Sequence, residues 1–312
     1  MKPEITVILI ANHAKKYYDP RAYIEPLIEQ GLSHDLYEII YVDTFKENRG
    51  RSLDSIIKSN KSFNLKTESL PLSSRAKALN LALSITAGEL IIFLADDCIA
   101  SSKCIKTHWD FHQKNKDINK IGVSSILIPD DKKSTFSTWL EESGELFGVP
   151  FTVNMNEIFT DFFYIANSSI KRTFLETAGF YFEEIFPYHG WDDFELSLRL
   201  KEQGMKAFFL PDASSIHDHR ITVRERCNTM IESGVSAGIY EKKGGRELGW
   251  KGRIYHSMLR YALSVLKQLS YYSFNRNKKH LYTAYTSLLN FHFKFGYLKF
   301  KVCNRKYLKE ND

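Results

Sequence analysis

The feature that most constrains the fold is an alternation, over the first 130 residues, of short apolar runs with segments of helical periodicity. The apolar runs are Ile5–Ile10, Glu38–Val42, Phe63–Leu70, Leu90–Leu94 and Ile121–Ile128. Between them, segments such as Arg75–Thr86 carry apolar residues at helical spacing. Strands that are apolar on both sides and separated by helices are typical of a parallel sheet covered on both faces. We therefore predict an α/β fold with a doubly wound, mostly parallel sheet.

The remainder of the chain divides into two stretches. Residues 131–220 are more irregular, with a strand expected at Phe162–Ala166 and a helix at Asp192–Gln203. From Val223 onward the pattern is helical, and four glycines among residues 244–252 indicate a boundary. We predict that residues 1–130 and 131–243 form two halves of one domain, followed by a helical C-terminal extension over residues 244–312.

Composition excludes several classes of protein. A hydrophobic content of 43% and a charged content of 26% are ordinary for a folded globular chain. The longest stretch without Asp, Glu, Lys or Arg, His280–Phe293, has 14 residues, whereas a membrane span needs about 20 apolar ones. Glu4 before the first apolar run and Lys15 after it reverse the charge order of a secretory signal, so we expect a cytoplasmic protein. Four cysteines without a C-x-x-C pair indicate reduced thiols.

The net charge of +6 conceals two regions of opposite sign. Residues 251–312 hold 13 Lys and Arg against two acids, Glu310 and Asp312, while residues 1–250 hold 30 basic and 35 acidic side chains. An acidic body does not suit nucleic acid, so no nucleic-acid partner is expected. The body favours cations or a metal, and the extension favours an anionic partner.

Polar side chains follow three of the predicted strands. Asn12 comes after the first strand, Asp43 after the second, and Asp96 and Asp97 after the fourth. Ligands of open α/β sheets bind at the carboxyl ends of the strands. Adjacent buried carboxylates are costly unless a cation or solvent compensates them, and hard oxygen ligands suit Mg²⁺ or Mn²⁺. The sequence has neither G-x-x-x-x-G-K nor G-x-G-x-x-G, so a P-loop kinase or a dinucleotide dehydrogenase has no support.

Six segments in order resemble one known family. The segment GELIIFLADDCIASSKCI resembles the part of GT-A-fold, family-2 glycosyltransferases that carries their D-x-D motif. Upstream, ITVILIANH, YEIIYVDT and SSRAKALNLALSITAGE are similar to the family's first two strands and to the helix before the metal strand. Downstream, IANSSIKRTFLETAGFYFEE, GWDDFELSLRLKEQG and AFFLPDASSIHDH resemble its acceptor segment, catalytic-base block and metal-closing strand. The resemblance covers about residues 4–220 and implies a GT-A-like fold.

The resemblance implies roles for individual residues. Asp97 is then the direct metal ligand, and a histidine of IHDH closes the metal site, either His217, which is preferred, or His219. Asp193 is then the base that takes the proton from the acceptor. The donor contacts are Asn12, Asp43, Arg75, Asp96 and Asp97, and the acceptor contacts are Trp191 and Asp192. Residues 1–130 then form the nucleotide-sugar-binding half and residues 131–243 the acceptor-binding half.

Each role has a plainer structural alternative. Asp97 could cap a helix, Asp43 could cap a turn, and Arg75 could be an ordinary solvated arginine. Acids at Asp192 and Asp193 also complement a helix dipole. The remaining alternatives are core packing for Trp191, a surface loop for the two histidines and a plain solvated acid for Asp96.

The sequence departs from the family at one position of its metal motif. Ala95 stands where the first Asp of D-x-D is usual, so the motif reads Ala95-Asp96-Asp97. This change leaves two functions open. One is a metal-dependent, inverting glycosyltransferase, hexosyl- or N-acetylhexosaminyl-transferring, that uses a nucleotide-diphospho-sugar, with a UDP-sugar favoured. The other is a catalytically weak or inactive nucleotide-sugar-binding protein. A nucleotidyltransferase would need a glycine-rich loop after the first strand, and ANHAKKYYDPR has no glycine.

The C-terminal extension suggests where the acceptor is found. It interleaves 13 Tyr or Phe with its basic residues over positions 251–312. That composition is typical of a helix on an anionic membrane surface, which fits a glycan or lipid-linked glycan acceptor and a peripheral position on the inner face of the cell membrane. The alternative is a helical appendage that packs on the catalytic domain or on a second subunit.

Overall fold

The computed structural model describes residues 2–11, 19–46, 53–59, 63–145, 163–188, 191–244 and 254–308. The chain forms two compact units. The first comprises residues 1–133, 140–184 and 192–219, and the second residues 134–139, 185–191 and 220–312. The division at residues 130 and 243 that the sequence suggests stays a prediction.

The first unit is built on a seven-stranded, mostly parallel sheet, as predicted. Ten strands lie along the described chain: β1 Ile5–Ala11, β2 Tyr37–Asp43, β3 Asn64–Ser69, β4 Leu90–Ala95, β5 Cys98–Ala100, β6 Lys120–Val123, β7 Ile126–Leu127, β8 Asn167–Lys171, β9 Lys206–Phe209 and β10 Ser215–His217. The sheet order is β3-β2-β1-β4-β8-β6-β9. The register sets Ala11 of β1 opposite Asp43 of β2, and Ile10 of β1 opposite Ala95 of β4.

Helices cover this sheet on both faces. The α-helices that lie wholly in the first unit are α1 Arg21–Ile24, α2 Asp54–Ser59, α3 Arg75–Ser84, α4 Cys104–Lys114, α6 Arg172–Thr177 and α7 Asp192–Glu202. The other described α-helices are α5 Thr135–Ser143, which begins in the second unit, and α8 Val223–Lys242, α9 Ile254–Asn275 and α10 Lys278–Leu308, which lie in the second unit. Alternate residues of β1 enter separate cores: Ile8 and Ile10 pack in one cluster, and Val7 and Leu9 in the other. This division explains why the predicted strands are apolar on both sides.

Two strands differ from the sequence prediction. The segment 163–166 is not a strand, and β8 begins at Asn167 instead, pairing antiparallel with both β4 and β6. Its buried Asn and Ser residues are polar, so the apolar pattern hid the strand. The single strand expected at 121–128 is divided, because β6 joins the large sheet while β7 pairs with β10.

A three-stranded sheet, in the order β5-β10-β7, completes the first unit. Strand β10 runs antiparallel to β5 and sets His217 opposite Cys98. Since Cys98 directly follows Asp97, this pairing brings the C-terminal histidine segment to the end of β4.

The second unit is mainly helical. Helix α8 begins with a capping box between Thr222 and Glu225, and α10 packs against both α8 and α9. A Cβ on Gly234 would lie 2.0 Å from the carbonyl oxygen of Phe293, and one on Gly296 would lie 1.9 Å from that of Ile231. The two glycines therefore let the backbones of α8 and α10 approach closely. Among the described residues, none of the helices is apolar over a stretch that would reach across a bilayer.

Candidate functional site

The acidic residues expected at the sheet edge are buried there. Asp43, Asp96 and Asp97 are at most 3% exposed. The Asp43 carboxylate accepts a hydrogen bond from the backbone N–H of Phe45 at 2.9 Å, so it also caps the turn after β2. The predicted donor contacts of Asp43 and Asp96 stay predictions, and Asn12 lies outside the described residues.

Asp97 lies in a cluster with two histidines. His217 Nε2 is 3.2 Å and His219 Nδ1 is 3.4 Å from Asp97 Oδ2. One ligand atom from each of the three residues lies within 4.8 Å of the other two. His217 is the last residue of β10, and His219 lies in the bend that follows it. The sequence left the choice between the histidines open, and the structure brings both to Asp97.

The hydrogen bonds of His217 fit this cluster to a cation. Its Nδ1 lies 3.0 Å from the carbonyl oxygen of His219, and a carbonyl only accepts, so Nδ1 carries the proton. In the neutral ring, Nε2 then directs a lone pair toward the Asp97 carboxylate. A cation bound between these two electron-pair donors would stabilise the arrangement. One carboxylate oxygen and two imidazole nitrogens are a donor set that suits Mn²⁺.

Asp218 anchors the histidine segment from the opposite side. Its backbone N–H donates to the carbonyl oxygen of Asp97 at 2.9 Å. Its carboxylate accepts from the Tyr23 hydroxyl at 3.0 Å and from Lys132 Nζ at 2.8 Å. Burial, followed by the charges of Asp218, Asp97 and Asp96, raises the pKa of Tyr23, so its hydroxyl keeps its proton. These bonds fix the segment before any ligand arrives.

A second charged cluster joins the starts of α3 and α7. Arg75 donates from Nε to Asp192 Oδ2 at 2.8 Å and from Nη2 to Asp192 Oδ1, and its Nη2 lies 3.8 Å from Asp193 Oδ2. Burial opposes the charge of Arg75, but the neighbouring carboxylates outweigh it and raise its pKa. The diphosphate contact predicted for Arg75 and the acceptor contact predicted for Asp192 stay predictions.

Asp193 has the environment of a tuned carboxylate. Burial first, then the charge of Asp192, raises the pKa of Asp193 to about 6, although Arg75 opposes the shift. Its Oδ1 accepts from the backbone N–H of Phe194 at 3.0 Å, as expected at a helix start. A carboxylate with a pKa nearer neutrality is a stronger base, which suits a group that accepts a proton.

Trp191 belongs to the second unit. Its ring is 6% exposed, its Nε1 donates to Ser233 Oγ at 2.8 Å, and it packs beside Phe186 and Tyr240. These contacts are those of a core residue, and the acceptor contact predicted for Trp191 stays a prediction.

A buried polar network was missed by the sequence analysis. His108 and His112 of α4 both contact Ser169 Oγ, and His108 Nε2 lies 3.0 Å from Asn167 Oδ1. Burial lowers the pKa of His108 to about 4 and of His112 to about 3, so both rings are neutral. Asn167 in turn donates to Ser215 Oγ at 3.2 Å, at the start of β10. The i, i+4 spacing of the histidines was the available signal.

Comparisons with known proteins match part of the sequence and most of the fold. A family model described as glycosyl transferase family 2 matches residues 20–170. No curated protein matches the sequence.

Two similar solved structures cover nearly the whole chain. The mannosyltransferase PcManGT from Pyrobaculum calidifontis, in complex with GDP-Man and Mn²⁺, is 16% identical with a TM-score of 0.62, over 96% of this chain and 88% of that one. Truncated S. aureus TarS in complex with UDP-GlcNAc is 14% identical with a TM-score of 0.53, over 96% and 92%. The likeness confirms the predicted doubly wound fold.

Proposed function

We propose that this chain is a family-2 glycosyltransferase of GT-A fold that transfers a sugar from a nucleotide-diphospho-sugar to a hydroxyl of a glycan or lipid-linked glycan, because the family model matches residues 20–170 and the fold resembles that of solved glycosyltransferases. The observation that carries the proposal is the convergence of Asp97, His217 and His219 at the carboxyl end of β4. Ligands of open α/β sheets bind at this edge, and a diphosphate needs a positive partner there.

Asp97, His217 and His219 would hold the divalent cation, Mn²⁺ or Mg²⁺. When bound, the ion neutralises the charge that develops on the diphosphate leaving group. The two nitrogen ligands favour Mn²⁺ of the two, because Mg²⁺ prefers oxygen. Asp218, held by Tyr23 and Lys132, keeps the histidines in place for this role.

Asp193 would act as the general base. Its raised pKa supports this role, because the carboxylate can take the proton of an acceptor hydroxyl as that oxygen attacks the anomeric carbon. A base on the acceptor side implies a single displacement, which inverts the configuration of that carbon. Arg75, bound to Asp192, places a positive charge beside Asp193. That charge opposes the rise in the pKa of Asp193, so it favours the ionised carboxylate.

The remaining predicted contacts complete the proposed substrate site. Asp43, Asp96 and Asn12 would contact the nucleoside and ribose of the donor, and Asp192 and Trp191 the acceptor. A UDP-sugar is favoured, with a hexose or N-acetylhexosamine transferred. The similar structures were solved with GDP-Man and with UDP-GlcNAc, so both nucleotides belong in any test.

The proposal is tested by a panel of UDP- and GDP-sugars with and without Mn²⁺. We expect metal-dependent release of nucleoside diphosphate from one donor, and its loss in Asp97→Ala. The matched control is Asp212→Ala, an exposed acid of the same unit, which should leave release unchanged. Equal release by wild type and Asp97→Ala would contradict a role for the cluster.

Ala95 favours a second function, a weak or inactive nucleotide-sugar-binding protein. A donor at about 100 times its dissociation constant should stabilise the fold by about 2.7 kcal/mol whether or not it reacts. Thermal stabilisation by a nucleotide-sugar without turnover on any acceptor would support this alternative.

We propose a cytoplasmic position at the inner face of the cell membrane. The basic extension supports it, because lipid carriers of glycans lie in that membrane and its inner leaflet is anionic.

A further inference from the structure

Helix α9 has one packed face and one exposed face. The packed face contacts α10: Ser264 Oγ lies 2.8 Å from Ser287 Oγ, and Gln268 Oε1 lies 2.7 Å from His280 Nδ1. Six large apolar side chains of α9 are exposed, and the four most exposed are Leu259 at 60%, Leu263 at 56%, Leu266 at 67% and Phe274 at 95%. We call these four residues the α9 stripe.

The α9 stripe is a continuous feature of the helix surface. Successive members follow each other by four, three and eight residues, so they lie along one side of a helix with 3.6 residues per turn. Single exposed leucines are ordinary, whereas a row of them indicates a binding surface. In the part of the chain that the structure describes, no side chain covers this row.

Charge indicates what the stripe binds. No Asp or Glu occurs between residues 251 and 309. Arg260 and Lys267 are exposed beside the stripe, each one position after one of its leucines. Arg276, Lys278 and Lys279 are exposed where α9 ends and α10 begins. A row of apolar side chains whose charged neighbours on α9 are all cations complements anionic head groups over an acyl layer.

We propose that the α9 stripe inserts into the surface of an anionic lipid bilayer, with Arg260 and Lys267 at the head groups. The proposal rests on the proposed function only in that a lipid-linked acceptor would be reached at the same surface. A second copy of the chain is a poorer occupant, because α9 against α9 would bring cations together without a matching acid. Nucleic acid would use the cations but leave the apolar row exposed.

The test measures sedimentation of the full-length protein with vesicles, in the absence of any nucleotide-sugar. We expect binding to phosphatidylcholine vesicles that contain about 30% phosphatidylglycerol, and little binding to phosphatidylcholine alone. The double variant Leu263→Glu/Leu266→Glu should weaken binding by about a hundredfold, since it removes two inserted side chains and adds two anions. Arg260→Gln/Lys267→Gln should weaken it by about tenfold.

The matched control is Ile118→Glu, which replaces an exposed apolar residue of the first unit. It should bind vesicles as the wild type does. Thermal unfolding of each variant checks that the fold is kept. Equal binding by wild type and the double glutamate variant would overturn the proposal.

Light scattering tests whether a second copy of the chain binds the α9 stripe instead. A wild-type dimer that becomes a monomer in Leu263→Glu/Leu266→Glu, with no vesicle binding by either, would assign the stripe to self-association and overturn the proposal. Failure of the proposed glycosyltransferase function is seen separately, as absent donor turnover in a protein that still binds vesicles.

Discussion

The candidate site of the first unit buries charged side chains, whereas the outer face of α9 exposes apolar ones. In the first unit, the charged side chains of the candidate site are buried or half-buried but paired: Arg75 binds Asp192 at the starts of α3 and α7, and Asp97 contacts two histidines at the sheet edge. On α9, apolar side chains such as Phe274 are exposed. Buried, paired charges are typical of a site that binds a small ligand, whereas an exposed apolar row is typical of a site that binds a larger surface. The four predictions below test this contrast.

The largest effect is expected at the proposed base. Asp193→Asn should lower kcat by about 10²- to 10⁴-fold while donor binding is kept, because the amide cannot accept the proton. In the wild type, the carboxylate is the active form, so a pKa raised to about 6 makes kcat fall as the pH drops through about 6. If the base had an ordinary carboxyl pKa, kcat would stay constant down to about pH 4. The measurement is kcat against pH.

The control for Asp193 is Glu202→Gln, an exposed acid on the same helix, which should leave kcat unchanged. If Asp193→Asn keeps wild-type kcat, the acids at the start of α7 serve the helix dipole alone.

The next effect concerns the ion pair that supports the base. Arg75→Gln leaves the Asp192 carboxylate buried without its cation, so it should lower the free energy of unfolding by about 2–3 kcal/mol, measured by urea denaturation. Loss of the positive charge should also raise the pKa of Asp193 further and move the acidic limb of the kcat profile to higher pH. Lys77→Gln, an exposed cation on the same helix, should change neither quantity. An unmoved profile would mean that Arg75 does not act on Asp193.

A smaller effect separates the two histidines. His219→Ala should weaken Mn²⁺ binding by about tenfold or more, and so should His217→Ala, because each removes one nitrogen ligand. Electron paramagnetic resonance of free Mn²⁺ measures this without donor or activity. The control is His256→Ala, an exposed histidine of α9. A loss confined to His217→Ala would restrict the site to Asp97 and His217.

The smallest effect is expected on α9. Leu263→Glu/Leu266→Glu should change transfer to a water-soluble acceptor by less than about twofold, since the stripe is proposed to bind lipid and not substrate. Activity on a lipid-linked acceptor in anionic vesicles should fall with vesicle binding. A large loss with the soluble acceptor would mean that the two regions are not independent.

Much of the fold could be predicted from the sequence, because buried parallel strands are apolar on both sides and stand out from the helices between them. Strand β8 could not, because its Asn167 and Ser169 are polar and satisfied by the histidines of α4, a partner distant in sequence. The acids after β4 could be located, since they follow an apolar run directly. The bond between Arg75 and Asp192 could not, since 117 residues separate them.

The sequence by itself determined which groups reach the carboxyl edge of the sheet and where the cations are concentrated, because strand order along the chain and local composition are linear properties. Only the tertiary structure decided that both His217 and His219 meet Asp97, and that the four residues of the α9 stripe face outward. Those outcomes depend on which strand pairs with β5 and on which side of α9 packs against α10. Pairing and packing are set by contacts between segments far apart in the chain, and local patterns do not encode them.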